Sequence, residues 1–162
     1  MINSSTSSLT YLQSGVAILC VKQSSPETNS GSQEEKLDRQ LKSYALVIDD
    51  SADIAFMLVT ILEQAGCKAV MAVSAREALT LAQREHFDLV ISDISMPEMD
   101  GYALAKALRS LSGYSEVPMI AITGFAEYED RDRALAAGFD AHVKKPIDAS
   151  RLIELIEELF SK

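Results

Sequence analysis

The feature that most constrains the fold is a regular alternation of two hydrophobic periods from Tyr44 to Phe160. Short apolar runs, typical of buried strands, alternate five times with longer segments whose apolar residues recur every three or four positions, which is typical of helices. Strands that alternate with helices pair in parallel, and the crossovers between them are right-handed. The pattern therefore predicts an α/β fold: a doubly wound, five-stranded parallel sheet with five helices, in three layers.

The boundaries of these elements follow from the periodicity and from end signals. Ser74 is a predicted N-cap with Glu77 three positions later, and Gly66 and Gly138 end helices. The first helix has one long apolar face, made of Ile54, Met57, Leu58, Ile61, Leu62 and Ala65. The predicted strands are 45–48, 69–73, 89–92, 117–122 and 141–143, and the predicted helices are 53–65, 75–84, 102–111, 127–137 and 149–160.

Residues 1–43 differ in composition from the rest and predict a mostly disordered N-terminal tail or linker before a domain at 44–162. The exception is the apolar run Val16–Val21, VAILCV, which we interpret as an isolated strand or the end of an upstream domain. It is far shorter than the roughly 20 residues of a membrane-spanning helix, and no Lys or Arg precedes it as in a secretory signal. We therefore expect a cytoplasmic protein without a membrane anchor.

The formal charge of −9 belongs entirely to residues 44–162, because residues 1–43 contain four basic and four acidic side chains. An acidic domain does not bind nucleic acid unaided, so direct nucleic-acid binding is excluded from the leading interpretations. The two cysteines, Cys20 and Cys67, have neither metal-ligand spacing nor a disulfide framework. They are predicted to be buried or inert thiols.

Polar residues follow four of the five predicted strands, at the edge where parallel sheets bind ligands. A single Asp at such a position more often ends a strand or caps a helix, but here several residues would converge. Crowded carboxylates repel one another unless a cation lies among them, and an all-oxygen acidic cluster suits Mg²⁺. The converging residues are Asp49-Asp50, Asp93, Thr123 and Lys144-Lys145-Pro146.

These residues suggest phosphoryl transfer onto a carboxylate. Asp93 is the candidate nucleophile, and Lys145 and Thr123 are candidates to contact the phosphoryl oxygens, one by charge and one by a hydrogen bond. Such a transfer depends mainly on positioning and charge stabilisation, so an ionised carboxylate needs no general base. The predicted product is an acyl phosphate on Asp93.

The set as a whole, Asp49-Asp50, Asp93 followed by MPEMDG, Thr123 and Lys145-Pro146, resembles the receiver domain of two-component response regulators. The resemblance covers residues 44–162 and implies a flavodoxin-like fold with strand order 2-1-3-4-5. It implies that Asp93 accepts a phosphoryl group from the phosphohistidine of a histidine kinase or histidine-phosphotransfer protein. Such a domain is a signalling module in a phosphorelay, and catalyses only its own phosphorylation and dephosphorylation.

The resemblance also assigns roles to individual positions. Mg²⁺ would be ligated by Asp50, Asp93 and the backbone carbonyl of Ser95, with Asp49 bound through water. Lys145 and Thr123 would contact the phosphoryl group, and the Lys145-Pro146 peptide bond would be cis. Phosphorylation would be transmitted to a downstream protein through the face formed by the fourth helix, fifth strand and fifth helix.

Three side chains suggest more specific hypotheses. The switch would comprise Thr123 and His142, a position where receivers commonly have Tyr or Phe; the alternative is that His142 is a half-buried strand residue without a role. Phe125, two positions after Thr123, would exclude water from the acyl phosphate. Phe56, with its neighbours Ala55 and Val59, lies outside the apolar face of the first helix, and would either dock the phosphodonor or pack under a loop.

Other functions remain as alternatives. The chain would be a receiver-like protein-binding module that is never phosphorylated, or a receiver fragment of a hybrid histidine kinase. An aspartate-nucleophile phosphatase of the haloacid dehalogenase type is disfavoured, because it requires a second Asp two positions after the nucleophile, where this chain has Ser95. His86 has no acidic partner nearby in the sequence and is predicted to be a plain surface residue.

Overall fold

Strands and helices alternate throughout the computed structural model, which describes residues 43–124 and 128–161, the latter without the side chains of 128–131. In chain order the elements are β1 (Tyr44–Ile48), α1 (Ala52–Gln64), β2 (Lys68–Ala72), α2 (Ala75–Arg84), β3 (Leu89–Asp93), α3 (Gly101–Arg109), β4 (Met119–Thr123), α4 (Tyr128–Ala137), β5 (Ala141–Lys144) and α5 (Ala149–Phe160). The predicted α/β class is confirmed.

All strand pairs in the sheet are parallel, in the order β2-β1-β3-β4-β5, which confirms the flavodoxin-like topology. Helices cover both faces, so the three layers are confirmed as well. Side chains alternate between the faces, as strand geometry requires. The α1/α5 layer contains Ala45, Val47, Leu58, Leu62, Ile91 and Ile156, and the opposite layer contains Leu46, Ile48, Val90, Leu104, Leu108 and Ala134.

All boundaries agree with the sequence prediction within two residues, and those of α2 and α5 agree at both ends. The Ser74 side chain accepts a hydrogen bond from the Glu77 N–H, as the predicted cap requires. The strand predicted to begin at Val117 instead begins at Met119. Pro118 lies between them and has no N–H to donate to a neighbouring strand.

The predicted core face of α1 was partly wrong. The buried residues are Ala55, Leu58 and Leu62, whereas Met57 is 42% exposed. Ala55, which was predicted to lie outside the face, is completely buried. A small side chain lets a helix lie close to the sheet, so Ala55 occupies a contact where hydrophobicity alone would have placed a larger residue.

The two sides of α1 have different neighbours. α1 forms the right-handed crossover between the parallel strands β1 and β2, and is antiparallel to both. Successive residues of a right-handed helix are about 100° apart around its axis. With this orientation of α1, the residue directly after a buried one points sideways toward β2, and the residue directly before a buried one points sideways toward α5. Phe56 follows Ala55 and therefore leans toward β2, whereas Met57 precedes Leu58 and leans toward α5.

Arg109 at the end of α3 joins two loops at the amino-terminal ends of β4 and β5. Its guanidinium donates to the backbone oxygens of Tyr114 (2.9 Å), Val117 (2.7 Å) and Gly138 (2.6 Å), and pairs with Asp140 at 2.8 Å. Gly138 has φ +107, and a Cβ added there would lie 2.9 Å from Arg109 Cγ. Both the backbone conformation and the neighbouring side chain therefore favour glycine at this position.

Cys67 is buried, as predicted, and its thiol donates to the Ser43 carbonyl at 3.2 Å. Burial raises the pKa of this thiol above its usual value, which keeps it protonated. None of the helices in the described ranges is long and apolar enough to cross a membrane. The N-terminal segment that was predicted to be mostly disordered, the Val16–Val21 run and Cys20 lie outside the described residues.

Candidate functional site

The strand register brings the predicted site residues to one edge of the sheet. Ile48 pairs with Ser92, Asp93 with Ile122, and Thr123 with Lys144, so the strands end at nearly the same level. Residues that directly follow β1 and β5 consequently lie beside Asp93, the last residue of β3. Asp49, Asp50, Asp93 and Lys145 are brought together in this way.

Three carboxylates form an acidic cluster. Asp49, Asp50 and Asp93 each place one oxygen within 4.8 Å of the oxygens of the other two. Asp49 and Asp93 are buried, whereas Asp50 is exposed, so the cluster opens to solvent on one side. Carboxylate oxygens with access to water are the donor set that Mg²⁺ prefers, and the residues present therefore fit the predicted ion.

The Lys145 ammonium lies between the two buried carboxylates. Its Nζ is 3.0 Å from Asp49 Oδ2 and 3.1 Å from Asp93 Oδ1. Burial alone would lower the pKa of Lys145, but the hydrogen bonds and charges of Asp49 and Asp93 outweigh burial and raise this pKa. The amine is therefore held in its charged form between the two carboxylates.

The pKa of Asp93 is raised above the usual value of an aspartate. Burial is the main cause, repulsion by Asp49 and Asp50 adds to it, and Lys145 opposes it through a hydrogen bond and its charge. The ionised carboxylate is thus held in a site that disfavours its charge. A divalent cation in the acidic cluster would relieve this repulsion.

The loop after β3 is folded tightly against the backbone of Asp93. The Ile94 N–H donates to the Ile122 carbonyl at 3.0 Å, and the Ile94 carbonyl accepts from the Gly101 N–H at 2.9 Å. A Cβ on Gly101 would lie 2.8 Å from the Cα of Ile94 and closer still to the Asp93 carbonyl oxygen. Only glycine fits here without displacing that backbone.

Sequence reasoning did not identify this role of Gly101. Asp100 and Gly101 entered the prediction only as the end of the MPEMDG motif, although Asp100 also caps α3 by accepting from the Ala103 N–H at 2.8 Å. It also missed Ser51, whose backbone N–H donates to Asp49 Oδ1 at 2.9 Å and fixes one oxygen of that carboxylate. A backbone contact of this kind leaves no signal in the side-chain pattern.

Thr123 and Ser95 lie at the margins of the cluster. Thr123 ends β4 and is 5% exposed, and its carbonyl accepts from the Lys145 N–H at 2.8 Å, which ties the ends of β4 and β5 together. Ser95 is an exposed residue two positions after Asp93. The Lys145-Pro146 peptide bond is cis, as the resemblance implied.

The proposed switch residue His142 is exposed. It alternates with Ala141 and Val143, which pack in the α1/α5 layer, so His142 belongs to the opposite face, above α4. It is therefore exposed rather than half-buried. His86 is exposed too, as predicted, with its ring 5.4 Å from that of Tyr114. Phe125 lies outside the described residues.

Comparison with known proteins gives one consistent result. Residues 45–157 match the family described as the response regulator receiver domain. An uncharacterized 14.6 kDa protein of Leptolyngbya boryana, named for the sodA1 3' region, is 42% identical over 113 residues, which are 70% of this chain and 86% of that protein. The probable transcriptional regulator ycf27 of Cyanophora paradoxa is 36% identical over 75% of this chain, which spans about half, 49%, of that longer protein.

Solved structures are similar as well. The chemotaxis protein CheY4 of Vibrio cholerae superimposes with a TM-score of 0.70 at 32% identity, and the alignment covers 72% of this chain and 98% of CheY4.

Proposed function

Because the chain belongs to the response regulator receiver domain family, we propose that Asp93 accepts a phosphoryl group from the phosphohistidine of a histidine kinase or histidine-phosphotransfer protein, with Mg²⁺ in the acidic cluster. The observation that carries this proposal is the position of Lys145, which lies within 3.1 Å of both buried carboxylates. The Lys145 ammonium, and a Mg²⁺ ion held by the acidic cluster, would supply the positive charge that a transferring phosphoryl group needs.

In the proposed reaction, an Asp93 carboxylate oxygen forms a bond to phosphorus while the bond between phosphorus and the donor imidazole nitrogen breaks. The imidazole leaves with the bonding electron pair, and an acyl phosphate remains on Asp93. Lys145 turns from the free carboxylate to a phosphoryl oxygen, since its pairs with Asp49 and Asp93 show that it reaches both. When bound, Mg²⁺ would be held by Asp49, Asp50, Asp93 and the Ser95 carbonyl and would neutralise charge on the phosphoryl oxygens.

Readout would begin at Thr123 and continue along β5. The Thr123 side chain is buried beside the site, and its backbone carbonyl accepts a hydrogen bond from the Lys145 N–H. His142 and Lys144 of β5 are both exposed on the face of the sheet that α4 covers. Leu135 of α4 is 48% exposed near them. We propose this α4–β5–α5 face as the surface for a downstream protein. The proposed location is the cytoplasm, where such donors act.

The phosphodonor is proposed to dock on the α5-facing side of α1. Met57 is 42% exposed there, and Ile54 and Ile61 beside it are partly buried. Met57→Ala should slow transfer from a protein donor without changing transfer from acetyl phosphate. Phe56, the docking residue suggested by the sequence, is 65% exposed but leans toward β2, so here Met57 takes that role and Phe56→Ala becomes the matched control. Equal effects of the two substitutions would contradict this docking site.

The phosphoacceptor role is tested by intact mass after incubation with acetyl phosphate, in MgCl₂ or in EDTA. The native chain should gain one phosphoryl group only with Mg²⁺, and Asp93→Asn should gain none. Asp132→Asn, which removes an exposed carboxylate on α4, is the control and should be modified like the native chain. A folded native chain that is never modified would favour the alternative, an unphosphorylated protein-binding module.

A further inference from the structure

Among the residues that the structure describes, no strand pairs with the outer edge of β2. Lys68 donates its N–H to the Ser43 carbonyl at 2.9 Å, and the Ala72 carbonyl accepts from the Asp49 N–H at 3.3 Å, so these residues bond toward β1. The alternate residues Ala69 and Met71 direct their backbone groups the other way. Within residues 43–124 and 128–161, β2 has β1 as its single neighbour. An open strand edge readily pairs with another strand.

Apolar side chains surround this open edge. Met71 pairs in register with Val47 of the α1/α5 layer, so Met71 and Val73 lie on the α1 side of the sheet. Met71 and Val73 are each 41% exposed, and Phe56, which leans toward them from α1, is 65% exposed. We call Phe56, Met71, Val73 and the outer edge of β2 the β2 corner. It combines hydrogen-bonding groups with apolar surface, as a site for an added strand does.

The chain contains a segment with matching properties outside the described residues. Val16–Val21 is a run of six apolar residues in an otherwise polar stretch. A strand that is apolar at every position suits a location covered on both faces, as in a parallel sheet. The family match begins only at residue 45, so the shared receiver fold does not account for this segment.

Residues 22–42 are long enough to connect the run to the β2 corner. This connection can span up to about 70 Å when extended. The required path is shorter, because the chain enters the sheet at Ser43 beside Lys68, the first residue of β2, and β2 itself is only about 17 Å long. We propose that residues 16–21 add to the outer edge of β2 as a sixth strand of the same chain, and cover Phe56 and Met71.

The native Cys20 gives a direct test in the full chain. Its labelling by a maleimide should be slow in the native protein and on the order of tenfold faster in Met71→Asp, since reaction would then no longer require local opening of a strand. Leu135→Asp replaces another exposed apolar side chain, on α4, and should leave the rate unchanged. Cys67 is buried and reports whether each variant remains folded, because it should stay unlabelled.

Hydrogen exchange tests the same contact by following the backbone amides of β2. Ile18→Asp should speed exchange of the backbone amides of Ala69 and Met71, whereas Leu9→Asp, elsewhere in the same region, should not. The proposal is overturned if native Cys20 reacts as fast as it does in denaturant, or if Ile18→Asp leaves exchange in β2 unchanged. Protection that increases with protein concentration would assign the β2 corner to a second copy and would also overturn the proposal.

Discussion

Replacing Lys145 with Met should destabilise the metal-free protein by about 3 kcal/mol. At an effective dielectric of about 20, an ammonium 3.0 Å from Asp49 and 3.1 Å from Asp93 attracts each carboxylate by roughly 5 kcal/mol. Desolvation offsets much of this, and removing one partner of a buried ion pair typically costs about 3–5 kcal/mol. Lys145 is 27% exposed, so water screens part of the interaction and the lower end of that range applies.

Urea unfolding at pH 7 in EDTA and in MgCl₂ measures this cost. Mg²⁺ should stabilise the Lys145→Met variant more than the native chain, because the ion replaces the missing positive charge among the carboxylates. Lys144→Met is the control, since Lys144 is exposed and belongs to the other face of the sheet; its effect should be within about 0.5 kcal/mol. A loss below about 1 kcal/mol for Lys145→Met, or no extra recovery in Mg²⁺, would refute the reasoning.

Three further predictions concern other parts of the molecule. Because burial raises the pKa of Asp93 in the folded chain, its ionisation opposes folding. In EDTA, Asp93→Asn should therefore raise Tm at pH 7, and most of this gain should be lost as the pH falls through the raised folded-state pKa to 3.8, below which the carboxyl is mainly protonated in both states. Gly101→Ala should cost about 2 kcal/mol in urea unfolding and slow phosphorylation by acetyl phosphate, since the new methyl meets the backbone of Ile94. Arg109→Lys should cost about 2 kcal/mol because a lysine cannot reproduce the forked donors, yet leave phosphorylation unchanged at the opposite end of the sheet. Normal stability in either of the last two variants, or a Tm gain for Asp93→Asn that persists at pH 3.8, would contradict the corresponding argument.

The sequence predicted the parallel α/β sheet and the convergence at its edge because both depend on strong, repeated signals, whereas the strand order was implied only by the resemblance to receiver domains. Buried strands are continuous apolar runs, and polar residues such as Asp93 interrupt them where the strands end. The face of α1 was less predictable, since Ala55 is chosen for close packing rather than hydrophobicity. Contacts made by backbone atoms, such as those of Gly101 and Ser51, are invisible to hydrophobic periodicity.

The role of Arg109 in joining two loops could not be predicted from sequence patterns either. Apart from Asp140, its partners are carbonyl groups in two loops, and any residue type supplies a carbonyl. A basic residue near the end of a helix is common, so nothing in the sequence distinguished Arg109 from the surface cations of other helices.

The assembly of the site from distant strands has a consequence during synthesis. Asp49 and Lys145 are separated by 96 positions, and Asp93 lies between them. Ribosomes release the amino-terminal part of a chain first, and contacts between distant segments form slowly because closing long loops costs entropy. The two buried aspartates are therefore made before their counter-charge exists, and the complete pocket forms only when β5 joins the sheet. A nascent or partly folded chain thus lacks the assembled pocket, so the proposed phosphorylation of Asp93 would require a chain that has finished folding.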